Sequence, residues 1–294
     1  MDPQRDIDGF LRVSHQADPF PRTPAEWFER VRLAEPDAFR RFLVGEVDGE
    51  IVAIGVVLDN DLVANGVMAR LVVDAAHRGR GHGAALAAAL EALLPERDRP
   101  SAIFSVRVSD DDGVSRAWAE RRGFRLHSHG IRSRLDLAAF DAGAHRAVVD
   151  RALAAGYRFE PPDDDDRLYD LYAVLIQDVP DDFDPPSREA FDRQSRLQRD
   201  VVRLVATHGS DWAGLALLSP AGADGAWNAF TGVLPEHRGH GVATALKVLA
   251  ADEARRAGRD WIETMNHAHN AAMLAVNRSL GYRRVAGNLF MQRP

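Results

Sequence analysis

Cysteine is absent from this chain of 294 residues, and lysine occurs once, at position 247. Without a thiol the chain cannot form a disulfide scaffold, a thiolate metal site or a covalent cysteine nucleophile. The lack of cysteine also fits a reducing compartment, and we expect the protein to be cytoplasmic. The sequence contains no run near the roughly 18 apolar residues of a membrane span, and its first ten residues do not resemble a signal peptide.

Positive charge is also scarce relative to negative charge. The formal net charge is −7, whereas proteins that bind nucleic acids carry a basic surface. We therefore expect no nucleic-acid partner, no membrane partner and no bound metal. The run of four aspartates at 163–166 is interpreted as a solvated turn. The chain is expected to act as a monomer or homodimer on a small molecule.

The chain repeats itself. Residues 71–86 read LVVDAAHRGRGHGAAL and residues 231–246 read TGVLPEHRGHGVATAL. A second pair of segments, RAWAERRGF ending at Phe124 and LAVNRSLGY ending at Tyr282, follows at nearly the same spacing. Two landmarks in the same order indicate a duplicated domain, and we place the copies at 1–143 and 144–294.

Each copy shows the same order of elements. Apolar runs at 41–47 and 51–58 flank an Asp-Gly pair, which predicts a β-hairpin, and 201–207 with 212–219 repeat this pattern. A strand then leads through a glycine-rich turn into a helix, followed by another strand and helix. This order predicts an α+β fold with a mixed, mostly antiparallel sheet flanked by helices. The second copy opens with a strand at 156–160 that has no counterpart in the first, where either the opening strand is missing or the start of the sequence is late.

The glycine-rich turns carry the chemical signal. Glycine lets the backbone turn tightly and approach a ligand closely, and the helix that follows presents free N–H groups and a positive dipole end. Such a turn suits a pyrophosphate, and an arginine beside it adds a charged fork. A dinucleotide fingerprint would place the third glycine later, and a P-loop would need Gly-Lys-Ser/Thr. A turn that binds no ligand is the competing interpretation, which the duplication disfavours.

These motifs resemble motif A of the GNAT acetyltransferase superfamily, in its tandem form similar to mycothiol-synthase-like proteins. The resemblance implies two GNAT domains that use acetyl-CoA as cosubstrate. It implies that backbone groups near Val73 and Val233 hold the pantetheine arm and that the two turns bind the pyrophosphate. The expected cofactor-binding residues are Val73, Arg78, Gly79, Arg80, Gly81, His82, Gly83 and Ala84 in the first copy, with Val233, Arg238, Gly239, His240, Gly241, Val242, Ala243 and Asn270 in the second.

The sequence departs from the family pattern at the general acid. Many members place a tyrosine four residues before the terminal glycine of the last helix, whereas this chain has Ala119 and Asn277 there. Many also have an asparagine eleven residues before that glycine; the second copy keeps it as Asn270, and the first has Asp112. A helix N-cap is the alternative interpretation of Asn270.

Polar residues concentrate in the last strand and helix of the second copy. Thr264 and Asn266 are the substrate-contact candidates, and Asn277 is the catalytic candidate that would line the same cleft. Glu263 is the only carboxylate of that strand and is the candidate general base, with a surface strand residue as the alternative. We expect an acyltransferase acting on a small-molecule primary amine through its second copy. A non-catalytic acyl-CoA sensor and a protein N-acetyltransferase are the alternatives.

Overall fold

The computed structural model describes residues 1–18, 21–33, 39–60, 66–96, 103–180, 185–198 and 202–293. Packing divides the chain into two compact units. The first comprises Met1–Val108, Asp112–His127 and Phe290–Pro294, and the second comprises Ser109–Asp111 and Ser128–Leu289. Residues 128–143, which the repeat assigns to the first copy, thus pack in the second unit. The division at 143 stays a prediction about the duplicated sequence.

The helices and strands of the first unit lie mostly in the first 124 residues. They are α1 (Pro3–His15), α2 (Pro24–Leu33), β1 (Arg40–Val47), β2 (Glu50–Asn60), β3 (Gly66–Val73), α3 (His82–Ala92), β4 (Phe104–Ser109) and α4 (Gly113–Glu120). Antiparallel pairs join β1 to β2 and β2 to β3, and a parallel pair joins β3 to β4.

The predicted Asp-Gly hairpin is confirmed. Strands β1 and β2 pair in antiparallel register from Arg40–Leu58 to Val47–Glu50. The two turn residues, Asp48 and Gly49, have φ angles of 51° and 82°. Positive φ at both central residues matches the right-handed twist of the flanking strands, which is why this dipeptide favours tight hairpins.

Helix α1 was not expected from the sequence. The side chain of Asp2 caps it by accepting hydrogen bonds from the amides of Gln4 and Arg5. The helix buries Ile7, Phe10, Leu11 and Val13, and its apolar side packs in one core cluster with residues of β2 and β3. These buried positions recur at the spacing of one helix face, so burial of that face stabilises the helix against the sheet.

The remaining elements lie mostly in the second unit. They are β5 (Arg125–Asp136), α5 (Arg146–Ala154), β6 (Tyr157–Glu160), α6 (Asp165–Ile176), α7 (Arg188–Gln198), β7 (Val202–His208), β8 (Asp211–Ala221), β9 (Gly225–Val233), α8 (Val242–Arg256), β10 (Trp261–His267), α9 (Ala271–Ser279) and β11 (Arg283–Arg293). The second unit holds β5 from Ser128 onward and β11 as far as Leu289. The strand order is β11-β5-β10-β9-β8-β7-β6. Strands β5 and β11 were not expected.

The core of the second unit lies between α8 and the sheet. Residues of α8 such as Ala245, Leu246 and Ala250 pack in one cluster with Ala216 of β8 and Ile262 of β10. Alanine at repeated helix positions lets the helix approach the strands closely. The mixed sheet with flanking helices agrees with the predicted α+β fold, and in the described part of the chain no helix is long and apolar enough to cross a membrane.

Candidate functional site

The two glycine-rich turns have the same backbone geometry. Gly79 and Gly81 have φ angles of 76° and 89°, and Gly239 and Gly241 have φ angles of 80° and 78°. Residues with a Cβ rarely adopt this left-handed conformation, so each turn requires glycine at both places. Gly81 and Gly241 are also the N-cap residues of α3 and α8, with no side chain to satisfy the helix amides.

Each turn ends in a helix that offers free amides. In the second unit, the first helix amide with a backbone acceptor is that of Ala245, which donates to the oxygen of Gly241 at 2.9 Å. Among the described residues, none accepts a hydrogen bond from the backbone amides of 239–244. Free amides at the positive end of a helix dipole favour the binding of an anion.

The arginine of each turn has a structural contact that the sequence did not reveal. The Nε of Arg238 donates to the carbonyl oxygen of Val233 at 2.9 Å, and the Nε of Arg78 donates to that of Val73 at 3.1 Å. A terminal nitrogen of Arg238 also pairs with Asp178 at 2.5 Å. Each arginine therefore holds its turn against the strand before it, and its guanidinium is less free to bind a phosphate than the sequence predicts.

A pocket lies beside the second turn. It has a volume of about 310 Å³ and is lined by Arg151, Ala155, Gly239, His240 and Gly241. Arg151 belongs to α5 and brings a positive charge to the turn from 88 residues upstream in the chain. Sequence reasoning missed Arg151 because no motif links α5 to the turn.

His237, on the other flank of the turn, has a partner of its own. The hydroxyl of Tyr157 lies 3.1 Å from Nδ1 of His237, and the Tyr157 ring also stacks near His208 and His240. These contacts join β6, β7 and the turn at one edge of the unit. His240 lies on the wall of the pocket.

The parallel strand pairs separate close to both turns. Strand β9 pairs with β10 from Gly225–Trp261 to Asn228–Thr264, and the pairing ends there. In the first unit, β3 pairs with β4 only from Val67–Phe104 to Ala69–Val106. Strands that part in this way leave backbone groups free on both sides of an opening. We call the gap beyond Asn228 and Thr264 the β9–β10 opening.

Buried polar side chains line the start of the β9–β10 opening. They are Asn228, Lys247, Thr264 and Asn277, each less than 5% exposed. When the two copies are aligned on their arginines and their terminal glycines, the first copy has apolar residues at these positions. The matched residues are Met68, Ala87, Val106 and Ala119. The two units thus have glycine-rich turns of the same geometry, but their side chains at the strand opening differ in polarity.

Three of the predicted cleft residues lie together. The hydroxyl of Thr264 donates to the carbonyl oxygen of Asn228 at 3.3 Å, and the amide nitrogen of Asn277 donates to Oδ1 of Asn266 at 2.7 Å. Asn277 is 1% exposed, and its Oδ1 has no hydrogen-bond partner among the described residues. A buried acceptor without a donor is uncommon and costly, so this oxygen is suited to an N–H group of a ligand.

Asn270 serves as a helix cap. Its Oδ1 accepts a hydrogen bond from the amide of Met273 at 3.1 Å, at the start of α9. Asp112 caps α4 in the same way through the amide of Ser115, at 2.9 Å. Capping therefore accounts for Asn270 in this structure, and its expected contact with the cofactor stays a prediction.

Glu263 does not have the surroundings expected of a general base. It is 1% exposed, and its Oε1 accepts from Nε of Arg134 at 2.6 Å while Oε2 lies 3.2 Å from Nε of Arg132. Both arginines come from β5, the neighbouring antiparallel strand. A carboxylate enclosed by two guanidinium groups is held in place and away from an acceptor amine. These contacts favour a structural role for Glu263, and its assignment as the general base stays a prediction.

Lys247 is the other buried charged group of this unit. Its Nζ donates to Oδ1 of Asn228 at 2.5 Å and lies 5.2 Å from the ring centre of Tyr282. Burial lowers the pKa of Lys247 from its ordinary 10.5 to about 7. Burial also raises the pKa of Tyr282 above its ordinary value, so this phenol stays protonated beside the lysine.

Comparison with known proteins agrees with this architecture. A model of the acetyltransferase (GNAT) family matches residues 8–124 and 168–282. A mycothiol acetyltransferase of Clavibacter sepedonicus is 29% identical over 225 residues, which are 75% of this chain and 71% of that protein. A mycothiol acetyltransferase of Clavibacter michiganensis subsp. michiganensis is 28% identical over 261 residues, 87% of this chain and 81% of that protein.

Solved structures show the same fold. A tandem GNAT protein from the clavulanic acid biosynthesis pathway superposes with a TM-score of 0.76 at 22% identity, covering 99% of this chain and 94% of that one. A GCN5-related N-acetyltransferase from Sphaerobacter thermophilus gives a TM-score of 0.73 at 16% identity, with 99% and 91% covered. Fold and turns thus define a tandem acyltransferase. The chain belongs to the acetyltransferase (GNAT) family and is an N-acetyltransferase, and enzymes of this family use acetyl-CoA.

The buried carboxylate gives a test of its structural role. Replacing Glu263 with Gln leaves two guanidinium groups without their partner, and Arg134 is 43% exposed. We expect a loss of stability toward the lower end of the roughly 3–5 kcal/mol typical of a broken buried pair, measured by urea unfolding. Glu253→Gln, which breaks an exposed pair with Arg256 on α8, is the matched control and should cost at most about 1 kcal/mol. If the folded Glu263→Gln variant lost turnover by about 10²-fold or more, Glu263 would be the general base after all.

The buried lysine gives a test through pH. The folded chain releases the Lys247 proton near pH 7, whereas the unfolded chain holds it to about pH 10.5. The unfolded state therefore binds more protons between these values, and stability should rise with pH across this window. Tyr282 keeps its proton in the folded state, whereas the unfolded phenol ionises above about pH 10. Above that pH, Tyr282 therefore makes the stability fall as the pH rises.

The measurement is the unfolding midpoint at pH 7, 8, 9 and 10 (about one unit apart) for the wild type and for Lys247→Met. The variant should lose most of the rise, because the titrating group is gone. Leu246→Met, at the neighbouring buried position of α8, controls for repacking and should keep the rise. Parallel pH curves for the wild type and Lys247→Met would contradict a lowered pKa.

Proposed function

We propose that the second unit transfers the acetyl group of acetyl-CoA to a primary amine of a small molecule by direct attack on the thioester. The observation that carries this proposal is the buried polar lining of the β9–β10 opening. Polar groups in a core reduce stability unless they are satisfied, and apolar residues occupy the same positions in the first unit. A role in binding or reaction explains why they are kept in one copy.

The second turn would hold the pyrophosphate of acetyl-CoA. The amides of Gly239, His240, Gly241, Val242 and Ala243 lie at the positive end of α8, and Arg151 adds charge from the pocket wall. The free groups of β9 beyond the last pair with β10, up to Val233, would take the pantetheine arm. The arginine contact to the carbonyl of Val233 keeps this strand end in position.

The reaction needs few protein groups. A bond forms between the amine nitrogen and the acetyl carbon, the carbon–sulfur bond breaks, the amine loses a proton and the CoA thiolate gains one. Charge develops on the carbonyl oxygen, and hydrogen-bond donors fixed around it lower the barrier. Asn277 cannot act as the acid that the family's tyrosine provides, but its free Oδ1 can accept from an amide of the pantetheine or from the acceptor amine. Thr264 and Asn266 would line the acceptor side of the opening.

The first unit would bind acetyl-CoA or support the fold without turnover. Its turn, at residues 78–84, has the glycine geometry and the arginine contact of the second turn. A Cβ on Gly83 would meet Val73 and Trp118 only at 3.6 Å and 3.7 Å, so this turn tolerates the alanine that the second copy has. At its strand opening, apolar residues stand at the four positions that are polar in the second unit, which disfavours catalysis there.

The two mycothiol acetyltransferases indicate where a search for the acceptor should begin. Both relatives resemble this chain over most of their length. The first compound in an amine panel is therefore mycothiol lacking its acetyl group, followed by amino sugars, polyamines and amino acids. Basic peptides are included to test the protein-acetylating alternative.

Two glycine variants test the cofactor site and identify the active copy. Gly239→Glu and Gly79→Glu each place a carboxylate in one pyrophosphate seat, at positions where a Cβ has open space. We expect Gly239→Glu to abolish CoA release with the amine panel and Gly79→Glu to leave it intact. Gly241 is less suitable, because a Cβ there would meet Val148 at 2.8 Å.

The control is Gly258→Glu, at the other end of α8. Gly258 has a φ angle of 74° and open space around it, so the variant carries the same backbone strain without touching the turn. Calorimetric titration with acetyl-CoA counts the sites: each turn variant should lose the site it carries, and the control should lose none. Retained binding and turnover in Gly239→Glu would refute the assignment. Binding without CoA release from any acceptor would favour the sensor alternative.

A further inference from the structure

Asn228 uses all of its hydrogen-bonding capacity in the core of the second unit. Its Nδ2 donates to the carbonyl oxygens of Leu217 at 3.3 Å and Phe230 at 2.8 Å. Its Oδ1 accepts from Nζ of Lys247 at 2.5 Å and from the hydroxyl of Thr231 at 3.1 Å. A side-chain amide has two donors and can accept two bonds, so this set is complete and fixes the orientation of the amide.

The same residue lies at an irregularity of β9. Asn228 pairs with Leu218 of β8, and Phe230 pairs with Leu217, so the register shifts and Ala229 has no partner on β8. Such a bulge re-aims backbone groups and is frequent beside active sites. The carbonyls to which Asn228 donates belong to Leu217 and Phe230, the first pair on the far side of the shift from Asn228 itself. The side chain therefore ties the bulge together where the strands β9 and β10 part.

Lys247 secures this arrangement from α8. It is the only lysine of the chain and is 3% exposed, and among the described residues no carboxylate pairs with its ammonium. An ammonium buried without a counter-charge is costly, and an apolar side chain of similar length would stabilise the core better. The first copy shows that the fold does without it, since Ala87, Met68 and Leu71 occupy the positions of Lys247, Asn228 and Thr231.

We propose that Lys247 is a positioning residue of the C-terminal acetyl-transfer site, which acts through Asn228 to fix the bulge of β9 so that its backbone N–H groups hold the thioester carbonyl of acetyl-CoA. This inference rests on the proposed function of the second unit. Because Lys247 and Thr231 both donate to Oδ1, the amide of Asn228 cannot reverse. Loss of one donor lets the amide and the bulge relax, and the carbonyl loses part of its polarisation while the phosphates remain bound at the turn.

The experiment uses acetyl-CoA labelled with ¹³C at the thioester carbonyl, bound to the Gly79→Glu chain so that only the second turn is occupied. Isotope-edited infrared spectroscopy reports the carbonyl stretch, which falls when N–H groups donate to the oxygen. In Lys247→Met we expect the stretch to move back toward that of free acetyl-CoA, with calorimetric affinity almost unchanged. With an acceptor from the amine panel, kcat should fall by about 10- to 100-fold, as for a small misplacement of reacting groups, with little change in KM.

Two further variants separate positioning from stability. Asn228→Ala should lower kcat similarly, and the double variant should be no worse than either single variant, because both act through one contact. Leu246→Ala removes a fully buried apolar side chain from the same turn of α8. It should lower the unfolding midpoint and leave the carbonyl stretch and kcat at those of the wild type when measured well below that midpoint.

The last experiment restores an amine at position 247 by chemical modification. Lys247→Cys introduces the only thiol of the chain, so alkylation with 2-bromoethylamine in the unfolded state, followed by refolding, rebuilds a lysine-like side chain at this position alone. Recovery of the carbonyl shift and of kcat supports the inference. An unchanged carbonyl stretch in Lys247→Met with normal affinity overturns it and leaves the proposed function standing. Failure of the Gly79→Glu chain to bind acetyl-CoA at all would refute the proposed function itself.

Discussion

Strands β9 and β10 pair in parallel from Gly225–Trp261 to Asn228–Thr264. Beyond Asn228 and Thr264 the two strands no longer pair with each other. An interrupted sheet leaves backbone donors and acceptors that must find other partners. Here the hydroxyl of Thr264 and the side chain of Asn228 satisfy the groups at the end of the pairing, and the groups beyond them face the opening. A ligand with amides and a carbonyl, such as the pantetheine thioester, has the groups that such strands can bind.

The two copies differ where chemistry would take place and agree where phosphate would bind. Both turns keep two left-handed glycines and an arginine that donates to the last strand carbonyl. These features depend on the geometry of the backbone, so both copies can keep them even if only one copy is catalytic. The polar cluster of the second unit depends on particular side chains and is replaced by apolar residues in the first, which gains core stability as a result.

Part of this structure follows from local sequence. The Asp-Gly hairpin and both glycine turns are visible because each depends on residues that lie next to one another in the chain. Helix α1 could also have been recognised, since Asp2 and Pro3 give the cap and the buried residues have helical spacing. Strand β5 could not, because its buried positions include Ser128, Gly130 and Ser133 and thus lack apolar alternation.

The remaining features depend on contacts between distant parts of the chain. Glu263 was predicted as a base from its position in a strand, but the arginines that enclose it lie about 130 residues earlier. Arg238 was predicted to bind phosphate. Its hydrogen bond to the carbonyl of Val233 depends on the conformation of its side chain, which the sequence does not show. Lys247 and Asn228 are 19 residues apart on a helix and a strand, and only the folded unit brings them together.

Hydrogen–deuterium exchange read by mass spectrometry tests most directly whether the second unit is the acetyl-CoA site that its opening indicates. With saturating acetyl-CoA, we predict slower exchange in peptides that contain residues 228–231 at the bulge of β9 and residues 239–243 at the second turn. Protection confined to the first unit, or absent from the bulge of β9, would contradict the account.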